Sequence, residues 1–232
     1  MPLLLAFDTA TRHCAVVLSE GDRPLAWRED ASEQFSHAER LNVFIQEVMN
    51  EAGRSLNDLD AVAAGIGPGS YTGLRIGLSA AKGLCFALDK PLIGMSTLDV
   101  LCHELATKGT ALRDDDRLLP MIDARRMEVF TRTYDRQGKA LNDAAPLILD
   151  EAWCVALPAD HRAVVFGDGA DKAATLWADR AHVLHVPGIR PAVHGLASCA
   201  TAYFKEQRFS DLAYLVPDYG KAPNVTQPKK KA

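Results

Sequence analysis

The chain has 232 residues, 48% of them hydrophobic and 24% charged. That length accommodates one large domain or two lobes, with ordinary globular composition and a substantial core. A net charge of -4 supplies no overall basic field, which argues against tight nucleic-acid binding by this chain alone.

Leu3 to Phe7 reads as a buried strand, Asp8 to Arg12 as a tight turn and Cys14 to Ser19 as a second strand ending at Glu20-Gly21-Asp22. The result is a hairpin with an acid at its tip. Ser36 followed by Glu39 forms a capping-box pattern, and Leu41, Phe44, Ile45, Val48 and Met49 recur at helical spacing until Gly53. Ala61 to Ile66 is a short strand. It leads into the glycine turn Gly67-Pro68-Gly69-Ser70-Tyr71-Thr72-Gly73 and a helix running to Leu88. On that helix Leu74, Leu78, Ala81, Cys85 and Leu88 make one apolar stripe and Ile76, Ala80, Leu84 and Ala87 a second. Only the thin polar line Arg75, Ser79 and Lys82 is left between them. One stripe packs on the chain's own sheet; the other is expected to need a second molecule. Pro91 to Met95 leads into a helix from Ser96 to about Thr107, where a first lobe, residues 1–107, closes.

The second half begins by repeating the first. Leu118 to Ile122 reads as a strand, Asp123-Ala124-Arg125-Arg126 as a turn and Met127 to Tyr134 as a strand. Strand, acid-bearing turn and strand thus occur twice, which predicts two related lobes, each a mixed sheet with packed helices. Ala163 to Phe166 is a further strand running through Gly167-Asp168-Gly169-Ala170 into a helix ending near Trp177. Pro191 to Gln207 is a helix placed to cross back to the first lobe. The second lobe is assigned residues 108–215, and 216–232, with its prolines and terminal lysines, is an irregular tail.

The five cysteines, Cys14, Cys85, Cys102, Cys154 and Cys199, are odd in number and widely spaced in apolar surroundings, which fits buried thiols in a reducing compartment. No stretch approaches the ~20 apolar residues of a membrane helix, so a cytoplasmic protein without membrane contact is expected. Gly65-x-Gly67 before a helix lacks the order of a phosphate loop, and Lys82 sits deep in the helix, so tight packing of strand and helix is the plainer reading. Pro68 breaks a Gly-x-Ser-x-Gly elbow around Ser70, which reads instead as a helix cap. Asp8 and Asp123 at hairpin tips are either magnesium ligands or Asx-turn formers. Arg125 and Arg126 either meet a phosphate or a partner's acid, or are solvated surface charges.

The duplicated hairpins resemble the actin, hexokinase and Hsp70 superfamily, in which such turns cradle phosphates and a later strand-Gly-x-Gly-helix holds adenosine. This implies an α/β fold of two actin-like lobes. A degenerate nucleotide site would comprise Asp8, Thr9, Asp123, Arg125, Gly167 and Gly169. Ala10 and Ala124 put methyl groups where phosphate turns need glycine. More specifically, Gly67-Pro-Gly-Ser-Tyr-Thr-Gly-Leu-Arg-Ile-Gly with Ala81-Lys82-Gly83-Leu84 is similar to the signature of the bacterial TsaB (YeaZ) family. Phe7-Asp8-Thr9-Ala10-Thr11, Ser36-His37-Ala38-Glu39-Arg40-Leu41 and Ile122-Asp123-Ala124-Arg125-Arg126-Met127-Glu128-Val129-Phe130 add weaker matches. Tyr214-Leu-Val-Pro-Asp-Tyr departs from the family's Tyr-Leu-Arg ending.

The resemblance implies a partner subunit of the machinery that places threonylcarbamoyl on N6 of adenosine 37 in tRNAs reading codons that begin with A. It also implies a catalytic paralogue, TsaD, and an ATPase, TsaE, as partners, with tRNA met only through the complex. TsaD holds a metal through a His-x-x-x-His pair; here His37 is followed four residues on by Leu41, which cannot ligate. The chain is therefore expected to bind no cofactor by itself, ATP or ADP and metal being held by partners or at a joint surface. The expected docking face combines Ser36, Leu41, Phe44, Ile45 and Val48 with Leu74, Leu78, Ala81 and Lys82. Two other classes stay open: a small kinase of the same superfamily, and a self-associating structural homodimer.

Overall fold

The computed structural model describes residues 1–31, 37–158 and 160–221. Strand β1 (Leu3–Asp8) is buried along its whole length because it is apolar on both faces and sits mid-sheet. It pairs antiparallel with β2 (Cys14–Glu20) and parallel with β4 (Ala61–Gly67). Edge strands β3 (Arg23–Asp30) and β5 (Leu92–Ser96) complete a five-stranded sheet ordered β3-β2-β1-β4-β5. The pleat sends Leu3, Leu5 and Phe7 to one face, under helices α1 (His37–Glu51) and α2 (Tyr71–Leu88). Leu4 and Ala6 face the other way. They meet Val100 of α3 (Thr97–Thr107) and Val193, Leu196 and Ala200 of α7 (Val193–Lys205).

The second sheet repeats this plan. Its central strand β6 (Arg117–Asp123) pairs antiparallel with β7 (Glu128–Thr131) and parallel with β9 (Ala163–Phe166). With β8 (Ala145–Ile148) and β10 (Val183–Val186) the order is β10-β9-β6-β7-β8, the first sheet's order element for element. Helix α3 serves both lobes, since its Leu98, Leu101 and Leu105 pack with Leu118, Ile122, Phe130 and Phe166 of the second sheet. Three short helices, α4 (Glu151–Ala156), α5 (Asp168–Asp171) and α6 (Ala174–Trp177), cover the opposite face around Trp177.

The sequence pattern yields the duplicated hairpins, α1 to α3 and α7. It misses β3, an edge strand with alternate residues exposed, and also β8, β10 and α4. The helix expected through Trp177 is broken into α5 and α6. Helix α7 does lie on the first sheet, and so does the chain beyond it. Ser210 N donates to Leu92 O at 2.8 Å and Asp218 N to Ile66 O at 2.7 Å, while Leu212 and Leu215 enter the core around α2. The lobe boundary expected at 215 is therefore corrected: residues from α7 onward belong with the first lobe, and the irregular tail is anchored at least as far as Lys221.

That anchoring bears on the second stripe of α2, Ile76, Ala80, Leu84 and Ala87: Ile76, Ala80 and Leu84 are half-buried against the core cluster on which Leu212 and Leu215 also pack, while Ala87 is exposed. Among the described residues no helix is long and apolar enough to cross a membrane, and Cys14, Cys85, Cys102, Cys154 and Cys199 are free, buried thiols.

Candidate functional site

The two acid-bearing hairpins face one another across an interlobe cleft of about 830 Å³, whose rim includes Thr11, Arg12, Tyr71, Asp123, Arg125 and Lys221. On the first-lobe side Asp8 is fully buried. Its Oδ1 accepts the Ala10 N–H at 2.7 Å and its Oδ2 the Thr97 hydroxyl at 3.2 Å. Burial outweighs these hydrogen bonds and pushes the Asp8 carboxyl up to about 6. Glycines make room for this turn. A Cβ on Gly65 would stand 1.9 Å from Asp8 Oδ2, and one on Gly77 would stand 2.4 Å from the Thr9 hydroxyl, which donates to Gly73 O at 2.7 Å. Ser70 caps α2 by accepting from Gly73 N, and its own N–H donates to Ala10 O at 2.6 Å.

On the second-lobe side Asp123 is exposed, and its Oδ1 accepts the Arg125 N–H at 2.8 Å. Lys172 reaches the same carboxylate and also donates to Glu128 O. Asp123 N donates to Asp168 Oδ1 at 2.9 Å, and burial raises the Asp168 carboxyl. Gly167 and Gly169 are set by close packing: a Cβ on Gly167 would meet Met121 O at 2.3 Å, and one on Gly169 would meet Val129 Cγ1 at 2.7 Å.

A phosphate cradle needs backbone N–H groups aimed outward. Here Ala10 N is bonded to Asp8 and His13 N to the Thr11 hydroxyl. At the second tip Ala124 N is bonded to Glu128 O, Arg125 N to Asp123 and Glu128 N to Arg125 O. With Lys172 already on Asp123, these residues do not fit a metal-bound triphosphate in the superfamily's manner.

Ser36 and the His37 side chain lie outside what the structure describes. The rest of the expected docking face needs correction. Leu41, Phe44, Ile45, Val48, Leu74, Leu78 and Ala81 are at most 6% exposed, because they form the core beneath α1 and α2. Lys82 donates to Ala213 O at 3.2 Å and so pins the C-terminal segment. Exposed on these helices instead are, among others, Val43 and Gln46 on α1 and Ser79, Gly83, Phe86 and Ala87 on α2; Phe86 is 81% exposed. Sequence reasoning also missed a clamp at the cleft mouth. Tyr71 stacks on Tyr219 at 4.8 Å, and Arg75 lies over Tyr71 while donating to the Tyr219 hydroxyl at 2.8 Å. No spacing in the chain links Tyr219 to Tyr71 or Lys172 to Asp123, since both contacts depend on the fold.

The family model described as "TsaD: tRNA N6-adenosine threonylcarbamoyltransferase" matches residues 29–166. The Escherichia coli tRNA threonylcarbamoyladenosine biosynthesis protein TsaB is 38% identical over 138 residues, 60% of this chain and 57% of that protein. YeaZ from Pseudomonas aeruginosa, a solved structure, superposes with a TM-score of 0.76 at 28% identity, covering 94% of this chain and all of that one. The chain belongs to this family, on its TsaB (YeaZ) branch. The match spans little more than half the length of the E. coli TsaB. An Arthrobacter inorganic polyphosphate/ATP-glucomannokinase shares the actin-like fold at a TM-score of 0.54 and 15% identity, a likeness of fold alone.

Proposed function

We propose that this TsaB-branch chain serves tRNA threonylcarbamoyladenosine biosynthesis as a non-catalytic subunit, binding and supporting a TsaD-like catalytic paralogue that a TsaE-like ATPase joins. The observation that carries the accessory role is the state of the two hairpin tips: the N–H groups of Ala10, His13, Ala124, Arg125 and Glu128 are bonded within the turns, and Asp123 already holds Lys172. Nucleotide and metal then belong to the partners or to a joint surface, and tRNA is met through the complex.

The docking face in this reading is the outer side of α1 and α2. Gly83 supports it, because a Cβ there would meet nothing within 4 Å, so the chain's own packing does not require glycine. A helix-interior glycine costs about 1 kcal/mol relative to alanine, and it lets a partner helix approach closely beside Phe86. A face of about 800 Å² per partner is expected, with Phe86 as a central anchor.

Co-purification of the tagged chain with a TsaD-type protein tests this. Phe86→Glu is expected to abolish co-purification with an unchanged circular dichroism spectrum. Leu78→Glu is expected to unfold the lobe, since Leu78 is core. Brisk ATP hydrolysis by the isolated chain would refute the accessory reading and favour the superfamily kinase. A chain that self-associates through Phe86 and ignores the TsaD-type protein would favour the structural homodimer.

A further inference from the structure

A second cavity, of about 630 Å³, shares no lining residue with the interlobe cleft. It opens where α3, the end of α7 and the segment after β7 meet, and its organising group is Asp99. The hydroxyls of Tyr134 and Tyr203 each donate to Asp99, one to each carboxylate oxygen. With both oxygens occupied, Arg132 stands off at 3.8 Å, and its buried Nε makes no hydrogen bond. Arg208 lies over the Tyr203 ring, its Cζ 3.5 Å from the centroid, and is 3.7 Å from Glu206. Lys139 lines the same cavity with no side-chain partner among the described residues.

Two arginines elsewhere in the chain are closely neutralised. Arg162 meets both oxygens of Asp116 at 2.9 and 2.7 Å, and Arg28 reaches Glu47 and Glu51 at 2.7 Å each. In a chain of net charge -4 this cavity gathers four cations, Arg132, Lys139, Arg208 and Arg136, the last paired with Asp114, against the two carboxylates Asp99 and Glu206. Its wall also carries His103, Gln137 and Glu206, with an apolar part formed by Leu105, Leu112 and Leu118. Two guanidinium forks and an ammonium complement the several oxygens of a phosphate better than a single carboxylate, and the volume is that of a small-molecule pocket. A concave site in an acidic chain favours a small ligand over an extended nucleic acid.

We propose that this cavity binds a small phosphorylated molecule, its phosphate held by Arg132, Lys139 and Arg208 and its less polar body laid on Leu105, Leu112 and Leu118. The test is calorimetric titration of the full chain with AMP, adenosine and pyrophosphate at about 50 mM salt, where screening is modest. AMP and pyrophosphate are expected to bind below about 1 mM and adenosine not to bind. Lys139→Met alone, an exposed change, is expected to weaken AMP several-fold, and Lys139→Met with Arg208→Gln at least ~10-fold. The cleft variant Arg125→Gln with Lys221→Gln is expected to leave binding unchanged. The proposal is overturned by any of four results: no AMP or pyrophosphate binding at millimolar concentration; adenosine binding equal to AMP; loss of AMP binding in the cleft variant alone; or a single-stranded RNA oligonucleotide binding more tightly than AMP through Lys139 and Arg208.

Discussion

The two hairpins that face the cleft use one local device in opposite surroundings. In each, the tip aspartate accepts the N–H two residues on, Ala10 N at 2.7 Å and Arg125 N at 2.8 Å. Asp8 is sealed beneath α2 and α3 by close-fitting glycines, whereas Asp123 is open to solvent and paired with Lys172. The duplication has kept the turn but not the chemistry around it. An acid at each tip is accounted for by turn formation alone.

Three substitutions separate the sealed hairpin from the open one. The largest effect is expected for Gly65→Ala, whose methyl would collide with Asp8 Oδ2. A stability loss of about 3 kcal/mol or more is expected by denaturant titration. Survival of that variant at wild-type stability would mean that the first hairpin is not sealed. Next comes Asp8→Asn. The folded-state carboxyl, near 6, lies above its usual 3.8, so the folded chain holds the proton more tightly than the unfolded one. Stability should therefore fall as pH rises from about 4 through 6 and level off above, by on the order of 1–3 kcal/mol. In Asp8→Asn that decline should vanish, and thermal melts across pH would show it. Smallest is Lys172→Met at the second hairpin, where a partly exposed pair makes a loss of about 1 kcal/mol or less the expectation.

The duplicated strands were legible because central strands are continuous apolar runs bounded by Asp and Gly turns, as in β1 and β6. Edge strands such as β3 and β8 were not, since one face is solvated and the run is interrupted by charge. Periodicity identified the apolar stripes of α2 but could not say what covers each. Leu78 and Ala81 lie in the buried core, and Ile76 and Leu84 are half-buried against it, as are Leu212 and Leu215, more than a hundred residues later in the chain. Periodicity alone therefore places the docking face on core side chains. The residues left outside, Gly83 and Phe86, belong to the same helix but interrupt its pattern.

The central claim, a supporting role in tRNA threonylcarbamoyladenosine formation, is tested most directly by quantifying the modified nucleoside by mass spectrometry in cells deleted for this gene and complemented with variants. The nucleoside is expected to be lost in the deletion and with Phe86→Glu, and retained with Asp8→Asn and Asp123→Asn. Normal modification in the deletion strain, or its loss in the aspartate variants with the complex intact, would contradict the supporting role.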